Sequence, residues 1–122
     1  MKDIQSEDDL FKLVNYFYAK LMINKITAPK FQKLDLVEHF PKIVSFWSLI
    51  LFDKEGYKTN VFDKHLHLNI SETHIEIWLK LFLESINELY EGEKAELAKQ
   101  RGQVLAYTFS SKLKAYSIKN EE

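Results

Sequence analysis

The chain has 122 residues, of which 46% are hydrophobic and 14% aromatic, with 17 basic against 18 acidic side chains, a net charge of −1 and no cysteine. That length supports one core and not two. The even spread of charge offers no basic face to nucleic acid or an anionic membrane, and the missing thiols exclude disulfides and thiolate metal sites.

Three glycines and two prolines are too few for the turns of an all-β fold, so the composition predicts helices joined by short loops. No run of 18 apolar residues is present, and the polar start Met1-Lys-Asp-Ile-Gln-Ser-Glu-Asp-Asp9 is unlike a signal peptide. The expectation is a single domain over residues 1–122 of a cytoplasmic chain that neither spans nor binds a membrane.

Ser6 is placed to cap the first helix, with Glu7, Asp8 and Asp9 putting negative charge on a first turn whose unpaired amides favour it. Leu10, Val14, Phe17, Tyr18, Leu21 and Met22 recur at helical spacing and predict a buried stripe ending near Asn24. Tyr18 is the polar member of that stripe, and its spacing fits a core tyrosine whose hydroxyl reaches a backbone carbonyl. The run Ile26-Thr-Ala-Pro-Lys-Phe31 predicts a short helical turn with Thr27 before it and Pro29 in its first turn; Phe31 reads as a core aromatic. Residues 35–38 resemble a capping box, but Pro41 would break a helix continuing from it. The expectation is therefore a turn at 35–38 and a new helix from about Phe40, with His39 at its mouth. His39, Ile43, Phe46, Trp47 and Ile50 then share one inward face.

Residues 51–60 hold the longest predicted loop, bent at Gly56. Asn60 is placed to cap a short segment, 61–66, that carries His65, with Phe62 three residues earlier on the same face. His65 and His67 admit a second reading: in extended backbone two such imidazoles point one way, as a zinc or copper pair requires, whereas on a helix they diverge. No further His, Asp or Glu cluster at ligand spacing completes that site. Ser71 caps the next helix, 72–90, whose buried ridge is Ile75, Trp78, Leu79, Phe82, Ile86 and Leu89. His74 at its start is a surface or capping residue, and Gly92 is its stop. The last helix, 93 to about 116, turns Ala98, Leu105, Phe109 and Leu113 inward. Gly102 in its middle implies close approach of a neighbouring backbone, and the tail 117–122 is expected to fray.

In order along the chain stand Phe17-Tyr18, Phe31, His39-Phe-Pro-Lys-Ile-Val-Ser-Phe-Trp47, Lys64-His65-Leu66 and Trp78-Leu-Lys-Leu-Phe82. This ordered set resembles the group III truncated haemoglobins, whose pattern has a distal Phe-Tyr, a His-x-x-Lys-[Met/Ile]-x-x-Phe-Trp run, a proximal Lys-His-Leu and a Trp-Leu-x-Leu-Phe helix. The likeness covers residues 7–116. It implies an all-α, shortened globin fold with the first helix largely missing and the other helices packed around haem b, held non-covalently because there is no cysteine to attach it. On this resemblance His65 is the axial ligand of the iron and Phe31 lies flat on the porphyrin. Ile43, Phe46, Trp47, Phe62 and Phe82 complete the cofactor's walls. Tyr18 and Trp78 look onto the open axial position, and His39 gates it.

A neutral imidazole on one side of the iron leaves the other position open to a diatomic ligand, and a hydrogen bond from its second ring nitrogen sets its tautomer and basicity. Donors aimed at negative charge on that ligand are far more effective in a dry pocket than in water. A phenol and an indole, each contributing about 1.5–3 kcal/mol, would slow O2 release by a factor on the order of a hundred or more. Such retention suits redox chemistry on O2, nitric oxide or peroxide with an unidentified reductase, as in a nitric oxide dioxygenase or a peroxidase-like enzyme, better than it suits O2 transport. Non-catalytic ligand binding, storage or sensing would use the same residues, whereas a haem-free helical interaction module would develop no Soret band when given haem. The expected partners are small ligands and that reductase, with the chain a monomer or weak dimer.

Overall fold

The computed structural model of the chain describes residues 1–33, 35–55 and 70–121, with 116–121 as backbone only, and its regular structure there is helical throughout. The expectations for Gly56, Asn60, Phe62, His65 and His67 lie outside the described residues.

Helix α1 (Glu7–Ile23) starts where Ser6, in extended backbone, accepts the Asp9 amide at 3.3 Å, so one of the first turn's unpaired donors is satisfied. Its buried face is Leu10, Leu13, Val14, Phe17, Tyr18 and Leu21, with Met22 half-buried at the edge. Asp9 does more than answer the helix dipole. It is buried, and its carboxylate takes Lys2 Nζ at 2.9 Å and the Gln5 amide at 2.8 Å, which ties the leading segment to the helix. Asn24 ends α1 and turns the chain by accepting the Ile26 and Thr27 amides. Helix α2 (Ala28–Phe31) follows, with Thr27 wholly buried and its hydroxyl donating to the Leu21 carbonyl at 2.8 Å.

Helix α3 (Leu36–Phe52) runs without interruption from its cap at Asp35, which accepts the Val37 and Glu38 amides, through Pro41. The separate turn at 35–38 does not form and the helix does not restart at Phe40. The bond Pro41 cannot make is the one to Val37, and Val37, Glu38 and Pro41 are all exposed, so water can serve that carbonyl. Burial of Val44, Trp47, Ser48 and Leu51 offsets the roughly 3 kcal/mol cost of an interior proline. Those residues form the face toward the core. His39, Ile43, Phe46 and Ile50 are only half-buried, so the single inward face expected for α3 is in fact two adjacent ones.

Helix α4 (Glu72–Leu89) is capped by Ser71 in a capping box closed by His74. Ile75, Phe82, Ser85 and Ile86 are buried on it, while Trp78, Leu79 and Leu89 are half-buried. It ends at Tyr90, whose backbone is extended and whose buried hydroxyl donates to the Asp9 carbonyl at 3.1 Å. Gly92 does not stop α4. It has a φ of 133° and precedes α5 (Glu93–Glu121), where a side chain would strike the Asp3 carboxylate at 2.6 Å. That carboxylate accepts the Lys94 and Ala95 amides at 2.8 Å each, capping α5 from the other end of the chain. Helical backbone continues past residue 116, where the sequence alone placed the end. Gly102 is buried, but what crowds it is the Phe82 ring, 2.7 Å from an added Cβ, and not a neighbouring backbone.

Helix α1 packs on α2, α3 and α4, while α5 packs on α3 and α4. Among the described residues no helix is long and apolar enough to cross a membrane.

Candidate functional site

Between α1, α3, α4 and α5 the packing leaves an open cleft, with about 960 Å³ of empty space when the solvent at its mouth is included. Helix α1 contributes Val14, Phe17 and Tyr18, α2 contributes Phe31, and α3 contributes His39, Lys42, Ile43, Phe46 and Trp47. The opposite walls are Ile70, His74, Ile75, Trp78 and Phe82, then Leu105, Ala106 and Phe109 of α5. Eight of the side chains singled out from sequence therefore share one cavity: Tyr18, Phe31, His39, Ile43, Phe46, Trp47, Trp78 and Phe82. Phe62 and His65 lie outside the described residues.

Tyr18 is 3% exposed, and its hydroxyl lies 3.2 Å from His39 Nε2. The bland sequence reading, a hydroxyl spent on a backbone carbonyl, is replaced by a side-chain pair inside the cleft. Rings surround the phenol: Phe17 at 5.4 Å, Phe40 at 5.2 Å and Phe31 at 6.1 Å between centroids, with His39 edge-on at 5.8 Å. Burial pushes its pKa well above the ordinary phenol value, so Tyr18 keeps its proton throughout the neutral range.

Phe82 stacks on Trp47 at 5.0 Å and on Trp78 at 5.1 Å, and Phe17 meets both Phe82 and Trp78 edge-on. Trp47 and Phe82 are almost wholly buried, so these rings form a rigid floor. Trp78 is half-buried, and among the described residues its indole N–H has no hydrogen-bond acceptor. The remaining polar groups of the lining are Lys42, paired with Glu38 at 3.1 Å, and His74.

Sequence reasoning passed over Val14, Phe17, Lys42, Ile70, His74, Ile75, Leu105, Ala106 and Phe109 as cleft residues. Lys42 stands inside the His-x-x-Lys run, and Leu105 and Phe109 sit one turn apart on a predicted inward face; those were the available signals. Nothing in the pattern separated facing a cavity from facing the core. Among the described residues no group of three or more His, Cys, Asp or Glu side chains could hold a metal ion. The cleft suits a flat, apolar ligand that carries few polar groups and meets a small number of donors.

The chain is 33% identical over 118 residues to a group 3 truncated hemoglobin of Campylobacter jejuni, a match spanning 91% of this chain and 93% of that protein. Its fold is similar to the crystal structure of a group III truncated hemoglobin from Campylobacter jejuni, with a TM-score of 0.82 at 34% identity, covering 93% of this chain and 95% of the other. No family model matches. Being 33% identical to such a relative over nearly the full length of both chains, and sharing the fold, the chain belongs to the group III truncated haemoglobins.

Proposed function

We propose that the cleft would hold non-covalently bound haem b, that the His65 imidazole would ligate its iron, and that Tyr18, Trp78 and His39 would meet a bound diatomic ligand. The observation that carries this reading is the Tyr18–His39 pair, 3.2 Å apart in a lining that is otherwise mostly apolar. Burying a phenol and an imidazole there costs free energy unless they are hydrogen-bonded. A pair that satisfies itself can exchange that bond for one to an incoming ligand.

When bound, haem would supply an iron centre able to take O2 or nitric oxide. The chain does the rest. Tyr18 stays protonated because burial raises its pKa. When His39 Nε2–H donates to the Tyr18 oxygen, the Tyr18 O–H is released to donate into the cleft; when Tyr18 donates to Nε2, it is held back. Trp78 offers a second donor, and Phe31, Ile43 and Phe46 give the cleft apolar walls, in which such donors act more strongly than in water. Two donors of about 1.5–3 kcal/mol each favour retention over release, which supports O2, nitric oxide or peroxide chemistry with an external reductase over transport.

Adding haem to the purified haem-free chain should give one-to-one uptake and a Soret band. The ferrous protein, supplied with a reductant and O2, should consume nitric oxide over many turnovers. Haem uptake without turnover would leave ligand binding, storage or sensing as the role; no uptake would remove the haem reading altogether.

A further inference from the structure

We infer that His74 is a carboxylate-binding residue of the cleft, donating a hydrogen bond from Nε2 to a propionate of the porphyrin; this rests on the haem reading above. The observations begin with the helix cap. The Ser71 backbone N–H donates to His74 Nδ1 at 3.0 Å, Ser71 Oγ lies 2.7 Å from the same nitrogen, and the His74 amide donates back to Ser71 Oγ at 3.5 Å. A backbone amide can only donate, so Nδ1 presents its lone pair, and the proton of the neutral ring resides on Nε2. The cap thus sets the tautomer as well as the start of α4.

Glu or Gln usually closes a capping box at this position. An ionised Glu closes the box with one oxygen and has no donor to direct onward. Histidine closes the box with one ring nitrogen and keeps a donor on the far side of the ring. That ring lines the cleft and is half-buried, and Nε2 has no partner among the described residues. Trp78, one turn further along α4, lines the same cavity.

The other polar groups of the lining are differently engaged. Tyr18 and His39 bond each other, and Lys42 pairs with Glu38. A porphyrin that buries its flat apolar body in this cleft must still provide for its two carboxylates, and a charge-assisted N–H···O bond is the interaction that a half-exposed, tautomer-fixed imidazole supplies. The structure therefore assigns His74 two roles in one ring, a helix cap on Nδ1 and a carboxylate donor on Nε2.

The test separates these roles. His74→Glu keeps the capping box but replaces the donor with an anion; His74→Ala removes both. Each variant and the parent chain are loaded with protohaem and, separately, with its dimethyl ester, whose carboxylates are neutralised. Haem loss to an excess of apoglobin scavenger is then timed, with helix content checked by circular dichroism. His74→Glu should lose protohaem about tenfold faster than the parent and the ester at the parental rate, within roughly twofold. Equal acceleration for both porphyrins, or none for protohaem, would overturn the assignment, because a purely structural residue is indifferent to the ester. If the parent chain takes up neither porphyrin, the haem reading itself fails. Normal parental uptake without any ester-dependent difference rejects His74 alone.

Discussion

A methyl group added at Gly102 probes how tightly the floor of the cleft is packed. An alanine Cβ there would meet Phe82 Cε2 at 2.7 Å and Cδ2 at 2.8 Å, and ordinary contact begins near 3.4 Å. The ring would have to retreat by roughly 0.7 Å. It has little room to do so, being stacked on Trp47 and on Trp78 with interplanar angles of 26° and 15° and met edge-on by Phe17 at 5.3 Å. Overpacking of this kind costs about 1–3 kcal/mol, whereas alanine in a helix interior regains about 1 kcal/mol over glycine. The expected net loss for Gly102→Ala is about 1 kcal/mol, read as a lower urea midpoint by circular dichroism with an unchanged slope. The same substitution made in a Phe82→Leu background should lose most of its penalty, since the ring edge it strikes has gone. A Gly102→Ala chain that is more stable than the parent, with no coupling to position 82, would refute this account of the packing.

Tyr18→Phe and Trp78→Phe should each change the O2 dissociation rate of the loaded ferrous protein severalfold or more, measured by stopped flow; two unchanged rates would end the case for oxygen activation. His65→Ala should abolish stoichiometric haem uptake, and a five-coordinate histidine-ligated spectrum in that variant would reject the ligand. Asp3→Ala should cost about 1 kcal/mol, because the Lys94 and Ala95 amides lose their cap; an unaltered unfolding midpoint would show the cap to be idle. Acid should act on the same contacts. Burial works against the charge on both Asp3 and Asp9, yet the Lys94, Ala95 and Ile4 amides around Asp3, and Lys2 with the Gln5 amide around Asp9, hold both carboxyls below their ordinary values. Their contribution is complete above the unfolded-state carboxylate pKa of about 3.9 and disappears as pH falls through the lower folded-state values. The urea midpoint should therefore drop below about pH 4, less steeply in Asp3→Ala; parallel pH profiles would contradict this.

Much of this molecule is legible in its residues because the signals are local or periodic. Ser6 and Ser71 cap helices through their own side chains, and Pro29 sits in a first turn that suits it. Leu10, Val14, Phe17, Tyr18 and Leu21 form a buried face because helical geometry stacks residues three and four apart. The order of Tyr18, Phe31, His39, Trp47 and Trp78 along the chain pointed to the family before any coordinates.

What the chain could not reveal on its own depends on contacts between residues far apart in it. Pro41 argued for a helix break, and burial of the α3 face beyond it outweighed the one lost hydrogen bond. Gly92 looked like a stop signal, yet it is required by the approach of Asp3, some ninety positions earlier, whose carboxylate caps α5. Periodicity identified the buried side of α3 without distinguishing the residues that meet the core from those that border a cavity, since hydrophobic spacing is the same for both. The 3.2 Å bond between Tyr18 and His39 likewise exists only because α1 and α3 cross there. Sequence alone determined which stretches are helical and, except across Pro41, where the described helices begin, through propensity, capping and period. Tertiary structure decided which of those residues face one another, because that depends on how whole helices pack and on the space their packing leaves.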